Sequence, residues 1–254
     1  MTTGEDRPGG PDRTAIVTGA SRGLGAVIAR QLAAAGWAVA VGFRTDAAGA
    51  DRVVAEIRAA GGRAAAFGGD VTDETVVAAL VARVEAELGP VLGVVANATG
   101  PQPIGFLPEL EWRDYLDQLE FFVKSPTLLV QAALPGMRAR GFGRVILIGS
   151  DMVDRAKPGW SAYSAAKAAQ IGLVRVWARE LGPVGVTVNL VAPGWIPVER
   201  HAGADTTAYV ADVPLGRIGT PGDVAGLVGY LCSDAAGYVT GQRISVNGAH
   251  TIAP

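Results

Sequence analysis

Among 254 residues there are one cysteine, two histidines and three methionines. Cys232 by itself excludes an internal disulfide and has no companions from which to assemble a metal-binding cluster, so a buried structural thiol is expected. Excess charge is also lacking. Lys and Arg number 22 against 24 Asp and Glu, a net charge of −2, and nothing in that balance points to nucleic acid or an anionic membrane. No apolar run approaches the roughly 20 residues of a membrane-spanning helix, and no charged-then-apolar leader opens the chain. These absences leave a soluble, cytoplasmic protein as the expectation.

What the chain has in quantity is apolar residues and glycine. At 49% hydrophobic and 18% charged, with 35 glycines, it can bury the core of one large α/β domain. The first twelve residues, rich in Gly, Pro and charge, read as a disordered tail and place the domain at 13–254. Short apolar runs then alternate with helical stretches: Thr14–Val17, Trp37–Phe43, Arg63–Phe67, Val91–Ala96, Val145–Gly149, Val186–Val191 and Arg243–Val246 read as strands. No internal repeat interrupts them. The alternation predicts a single Rossmann-type, doubly wound parallel sheet flanked by helices.

The first strand runs directly into Thr18-Gly19-Ala20-Ser21-Arg22-Gly23-Leu24-Gly25, and an Ala-rich helical stretch follows to about Gly36. Strand, glycine loop and helix in that order make a credible dinucleotide site. The glycines let backbone approach a pyrophosphate, and the helix start offers free N–H groups and a positive dipole. At the end of the second strand, Phe43 stands where an acidic residue would bind a ribose 2′-hydroxyl, and Arg44 follows. With Arg22, two guanidinium groups can converge on a 2′-phosphate, which points to NADPH. Asp46 is the alternative partner for Arg44.

Tyr163 and Lys167 lie four apart in a breaker-free, Ala-rich segment, so a helix puts both on one face. An ammonium near a phenol favours phenolate and brings a Tyr pKa near 10 toward the working range of an acid–base catalyst. Ser150 follows the apolar run Val145–Gly149, at the end of a parallel strand where open α/β sheets bind ligands. Taken singly, such a pair is most often surface decoration, and a Ser after a strand is most often a turn residue. The ordered set behind a nucleotide loop is another matter.

With T-G-x-x-x-G-x-G after the first strand, Ser150 after a later one, and Tyr163-x-x-x-Lys167 on a helix, the chain resembles the short-chain dehydrogenase/reductases. The resemblance runs from about Arg13 to Asn247 and is closest to the 3-oxoacyl-carrier-protein reductases. It implies Ser150, Tyr163 and Lys167 as catalytic residues. It implies a cofactor held by Thr18, Gly19, Ser21, Arg22, Gly23, Leu24, Gly25 and Arg44, with Asp70 and Val71 at the adenine. Asn97 and Ala98 would lie beside a ribose, Tyr163 and Lys167 at the nicotinamide ribose, and Pro193, Gly194 and Ile196 at the carboxamide. It further implies a mobile substrate loop at about 195–214, a homotetramer, and an acyl thioester or acyl carrier protein as partner.

The sequence departs from the family pattern in four places. Thr99 displaces the usual glycine, so that Gly100 comes one place late. Pro197 or Val198 replaces a common Thr. Val184 stands where carrier-docking reductases often place a basic residue. Finally, the fourth long helix should carry an Asn that completes a Ser–Tyr–Lys–Asn tetrad and holds a water near the Lys, yet no Asn lies between Asn97 and Asn189. Counting from Gly143 puts Phe122 there; counting from Trp112 puts Leu119. The segment reads about three residues longer than usual, with Gln118 or carbonyls freed by a bulge expected to hold the water. The resulting expectation is NADPH-dependent reduction of a ketone, a 3-oxoacyl thioester or a related secondary-metabolite ketone. A sugar or polyol dehydrogenase is the rival on the same scaffold, and a catalytically silent dinucleotide sensor the rival of another class.

Overall fold

The computed structural model describes residues 13–252; the expected tail at 1–12 lies outside the described residues. Seven strands form one all-parallel sheet: β1 (Thr14–Val17), β2 (Ala38–Phe43), β3 (Arg63–Gly68), β4 (Val91–Ala96), β5 (Gly143–Ile148), β6 (Val186–Pro193) and β7 (Arg243–Val246). Their spatial order is β3-β2-β1-β4-β5-β6-β7. The chain winds outward one way from β1 and, after crossing over, the other way from β4. A crevice therefore opens beyond the carboxyl ends of β1 and β4, where ligands bind in such sheets. β1, β4, β5 and β6 are buried along their whole length, because helices cover both faces. That is why they read as unbroken apolar runs rather than alternating ones.

The crossover helices are α1 (Gly23–Ala34), α2 (Ala47–Ala59), α3 (Glu74–Leu88), α4 (Trp112–Leu119), α5 (Ser125–Arg140) and α7 (Ser161–Leu181), with one turn of α6 (Met152–Arg155) between β5 and α7. α2 starts directly behind Asp46. Asp46 caps it, accepting from the Gly49 N–H at 3.0 Å, and a satisfied cap extends a helix to its own position. α3 starts behind Asp73, which accepts from Thr75 and Val76. The stretch expected as a plain loop after β6 holds a short 3-10 turn at Glu199–His201 and α8 (Thr207–Ala211); α9 (Pro221–Cys232) follows behind a Thr220–Asp223 capping box. Cys232 is buried at its end, and burial pushes the thiol up to about 12.

Between α4 and α5 the helix continues through a π turn, Glu120–Lys124, in which the Ser125 N–H donates to the Glu120 carbonyl. The wider turn absorbs extra residues without breaking the helix. Among the described residues no helix is long and apolar enough to cross a membrane.

Candidate active site

A cavity of about 1180 Å³ lies over the crevice, and every catalytic and cofactor-binding residue named from the sequence lines it. On the β1 side the glycines set the floor. Gly19 sits at φ +62°, and a Cβ on Gly25 would fall 2.3 Å from the Gly19 carbonyl oxygen, so the loop folds back on itself only with glycine at both places. α1 begins at Gly23 with no side-chain cap and no acid in its first turn, leaving its N–H groups for an anion. The Gly23 N–H instead meets the carboxylate of Glu199 at 3.3 Å. Backbone cradle, open helix start and cavity length fit a nicotinamide dinucleotide.

Thr18 and Asn97, expected beside the cofactor, line the cavity and are also bonded to each other. The Thr18 hydroxyl accepts from the N–H groups of Asn97 (3.0 Å) and Ala98 (2.9 Å), and the Asn97 amide donates to the Thr18 and Gly19 carbonyls. They stitch the ends of β1 and β4 together. At the far end, Arg44 pairs loosely with Asp70 at 3.7 Å, not with Asp46, which is taken by the start of α2. Burial works against the Asp70 charge, but two hydrogen bonds from Thr72 outweigh it and hold the carboxyl below the usual range.

Ser150 follows β5, and its Oγ accepts from the Met152 N–H at 3.1 Å, so its own hydrogen is left to point into the cavity. Tyr163 and Lys167 share one face of α7, with Nζ 5.6 Å from the Tyr163 ring centroid. Lys167 is buried, donates to the Ile148 carbonyl at 2.6 Å, and is held down to about 7 by that burial. The ammonium read from the sequence is therefore held well below the ordinary lysine range.

The residue over that ammonium is Phe122. Its ring centroid lies 3.6 Å from Nζ, and its edge meets the Tyr163 ring at 5.4 Å and 90°. Phe122 is the residue reached by counting from Gly143; counting from Trp112 gave Leu119, three positions earlier, on the other side of the start of the π turn. Gln118, expected beside the Lys, faces elsewhere: its amide donates to the Pro101 carbonyl at 2.6 Å and pins the loop after β4. In that loop Gly100 lies under the Phe121 ring, where a Cβ would fall 2.0 Å from a ring carbon.

Trp160, Trp195, Tyr209, His201 and His250 also line the cavity. Trp160 meets the Tyr163 ring edge-on at 5.6 Å, and Trp195 meets Tyr209 edge-on at 5.4 Å. The Tyr209 hydroxyl accepts from the Trp195 N–H at 2.8 Å. His250, to which no role was given, packs on Tyr209 and sits 3.4 Å from the buried carboxylate of Asp151. Burial pushes the Asp151 carboxyl up, against the pull of Arg155 and His250. His201 meets the Trp195 ring at 6.2 Å, and its Nδ1 accepts from the Val198 N–H at 3.2 Å. The aromatic count was visible in the sequence, but not its convergence. Among the described residues no group of three or more His, Cys, Asp or Glu could hold a metal.

Residues 19–251 match a family model described as enoyl-(acyl carrier protein) reductase. The chain is 38% identical over 239 residues to the 3-oxoacyl-acyl-carrier-protein reductase FabG of Pseudomonas aeruginosa, covering 93% of this chain and 96% of that protein. It is 40% identical over 243 residues to cis-4-hydroxycyclohexanecarboxylate dehydrogenase of Sinomonas cyclohexanicum, covering 94% and 97%. Among solved structures, a blue fluorescent protein from a metagenomic library in complex with NADPH superposes with a TM-score of 0.89 at 36% identity. That match covers 97% of this chain and 100% of that one.

Proposed function

Because the chain belongs to the short-chain dehydrogenase/reductase family, oxidoreductases of CH–OH and C=O groups, we propose that it reduces a ketone to a secondary alcohol with NADPH. The observation that carries this reading is the convergence of Ser150, Tyr163 and Lys167 on one wall of the cavity whose other end is the glycine cradle. The cradle residues, with Arg22 and Arg44 at the 2′-phosphate, would hold the dinucleotide, which when bound supplies the hydride. Ser150 donates its free hydroxyl hydrogen to the carbonyl oxygen as charge develops there. Tyr163 gives the proton as general acid. Lys167, when protonated, favours loss of that proton through its charge. A dinucleotide sensor would have no use for the acid, so the intact trio favours an enzyme.

The substrate is a 3-oxoacyl thioester or a related ketone, as for the Pseudomonas relative. One observation favours a compact ring ketone over a carrier-bound chain: the rings of Trp160, Trp195 and Tyr209 line the substrate half of the cavity, and Val184 leaves the carrier-docking position without charge. The Sinomonas relative bears the name of a cyclic substrate. A homotetramer is the proposed assembly, and the exposed Trp112 and Val176 on α4 and α7 suit a subunit interface. NADPH oxidation measured across acyl thioesters, cyclic ketones and sugars tests the reading. Tyr163→Phe should bind NADPH as the parent does and lose turnover by about a hundredfold or more; retained turnover would overturn the assignment of the acid.

A further inference from the structure

The substrate half of the cavity presents a cation that stands beyond ion-pair distance of every carboxylate among the described residues, its charge felt by the buried Asp151. Arg155 ends α6, one turn beyond Ser150, and lines the cavity half-buried. Among the described residues it forms no ion pair. Its guanidinium instead lies over the Tyr209 ring, 5.3 Å from the centroid, and the Tyr209 hydroxyl is engaged by the Trp195 N–H. Of the acids on the same wall, Asp151 hydrogen-bonds His250 and meets Arg155 only through a longer-range attraction, Glu199 is at the Gly23 N–H, Asp205 accepts from the Thr207 N–H, and Asp212 is exposed.

The backbone carrying Arg155 is fixed from both sides. Asp154 is held by Arg243 of β7 in a two-point pair, one arm of it at 2.9 Å, with both side chains mostly buried. The Arg155 N–H donates to the Asp151 carbonyl at 3.0 Å. Ala156 then takes a left-handed φ of +47°, a conformation that costs energy for a residue with a Cβ and that the surrounding structure must impose. The backbone is thus held in place while the guanidinium rests over the Tyr209 ring, a fork suited to a planar anion. Lys157, two residues on and exposed, adds a second positive charge at the rim.

We infer that Arg155 is a specificity-determining residue that binds a carboxylate on the substrate, a few bonds from the ketone carbon, against the Tyr209 ring. The inference rests on the ketone-reductase reading and narrows its substrate to oxo acids. The test uses linear and cyclic oxo acids, each beside its methyl ester. With NADPH bound, Trp160 and Trp195 report binding through their fluorescence, and NADPH absorbance reports turnover. The acids should bind the parent enzyme about ten- to a hundredfold more tightly than the esters. Arg155→Leu should collapse that preference toward unity with NADPH affinity kept, and Arg155→Lys should keep part of it. Equal binding of acids and esters by the parent would overturn the inference, as would a preference that survives in Arg155→Leu. Parallel loss of acid, ester and NADPH binding in that variant would mark a structural role and overturn it too. If no ketone is turned over, the reductase reading fails by itself, while the fluorescence titration still decides on the carboxylate site.

Discussion

Leucine in place of Phe122 should move the basic limb of the pH–rate profile downward. The ammonium of Lys167 lies 3.6 Å from the centre of the Phe122 ring, with both residues buried. A desolvated cation over an aromatic face gains about 2 kcal/mol. The ring stabilises the charged form only, so its removal disfavours the ammonium and lowers the Lys167 pKa. At about 1.4 kcal/mol per unit, the shift is about 1.5 units below the present value, which burial has already brought to about 7. Reduction needs the ammonium beside Tyr163, so kcat/KM falls as pH rises through this pKa, and the variant should begin to fall about 1.5 units earlier. Leucine fills most of the ring's volume and offers no hydrogen bond, which keeps the pocket closed. The assay is kcat/KM for one ketone at saturating NADPH, in both proteins, from pH 5 to 10. An unchanged limb would refute the claim that the ring acts on the charge. An upward shift would refute it as well, and would mean that water reaches Lys167 once the ring is gone.

Arg44→Ala should weaken NADPH binding by about tenfold or more while leaving NADH within a fewfold, since charge-assisted hydrogen bonds to a 2′-phosphate are lost only with the first; titration of both nucleotides checks it, and an equal loss for both would refute the assignment. Lys167→Met should abolish turnover yet raise stability at pH 7 by about 1–3 kcal/mol, because a buried amine is replaced by an apolar chain of similar length. The sign follows from the depressed pKa. The unfolded chain keeps the Lys proton up to about 10.5 and the folded one releases it near 7, so wild-type stability gains from this group as pH rises across that window. Thermal melts at pH 6 and pH 9 should show the advantage of the variant shrinking at the higher pH.

Much of the site was legible because its signals are local. The glycine loop declares itself within one strand–turn–helix unit, and the four-residue spacing of Tyr163 and Lys167 needs only a helix to bring them together. Other features depend on geometry that local pattern does not carry. Phe122 meets Lys167 from inside a π turn, an irregularity that a regular helical count does not anticipate, and the counts from its two sides end three residues apart. The pair Asp151–His250 joins positions 99 apart in sequence, and no periodicity connects them. Arg44 does not pair with Asp46, the alternative to a phosphate, because Asp46 has a local use, capping α2. The sheet, by contrast, needed only the alternation of short apolar runs with helices.

The Thr18 hydroxyl, shared by the Asn97 and Ala98 N–H groups while the Asn97 amide returns to Thr18 and Gly19, bears on how the catalytic cycle is paced. The two lips of the crevice belong to adjacent strands and are fastened to each other on the inside, so the cleft has no hinge between them. Nucleotide exchange must then use the opposite boundary, the segment after β6 where Glu199 touches the start of α1. Entry and exit become the business of a short, mostly exposed stretch, and the sheet stays still while they happen. In such a design the affinity for cofactor is set by a rigid half of the protein and the speed of its exchange by another half, so the two can be altered independently.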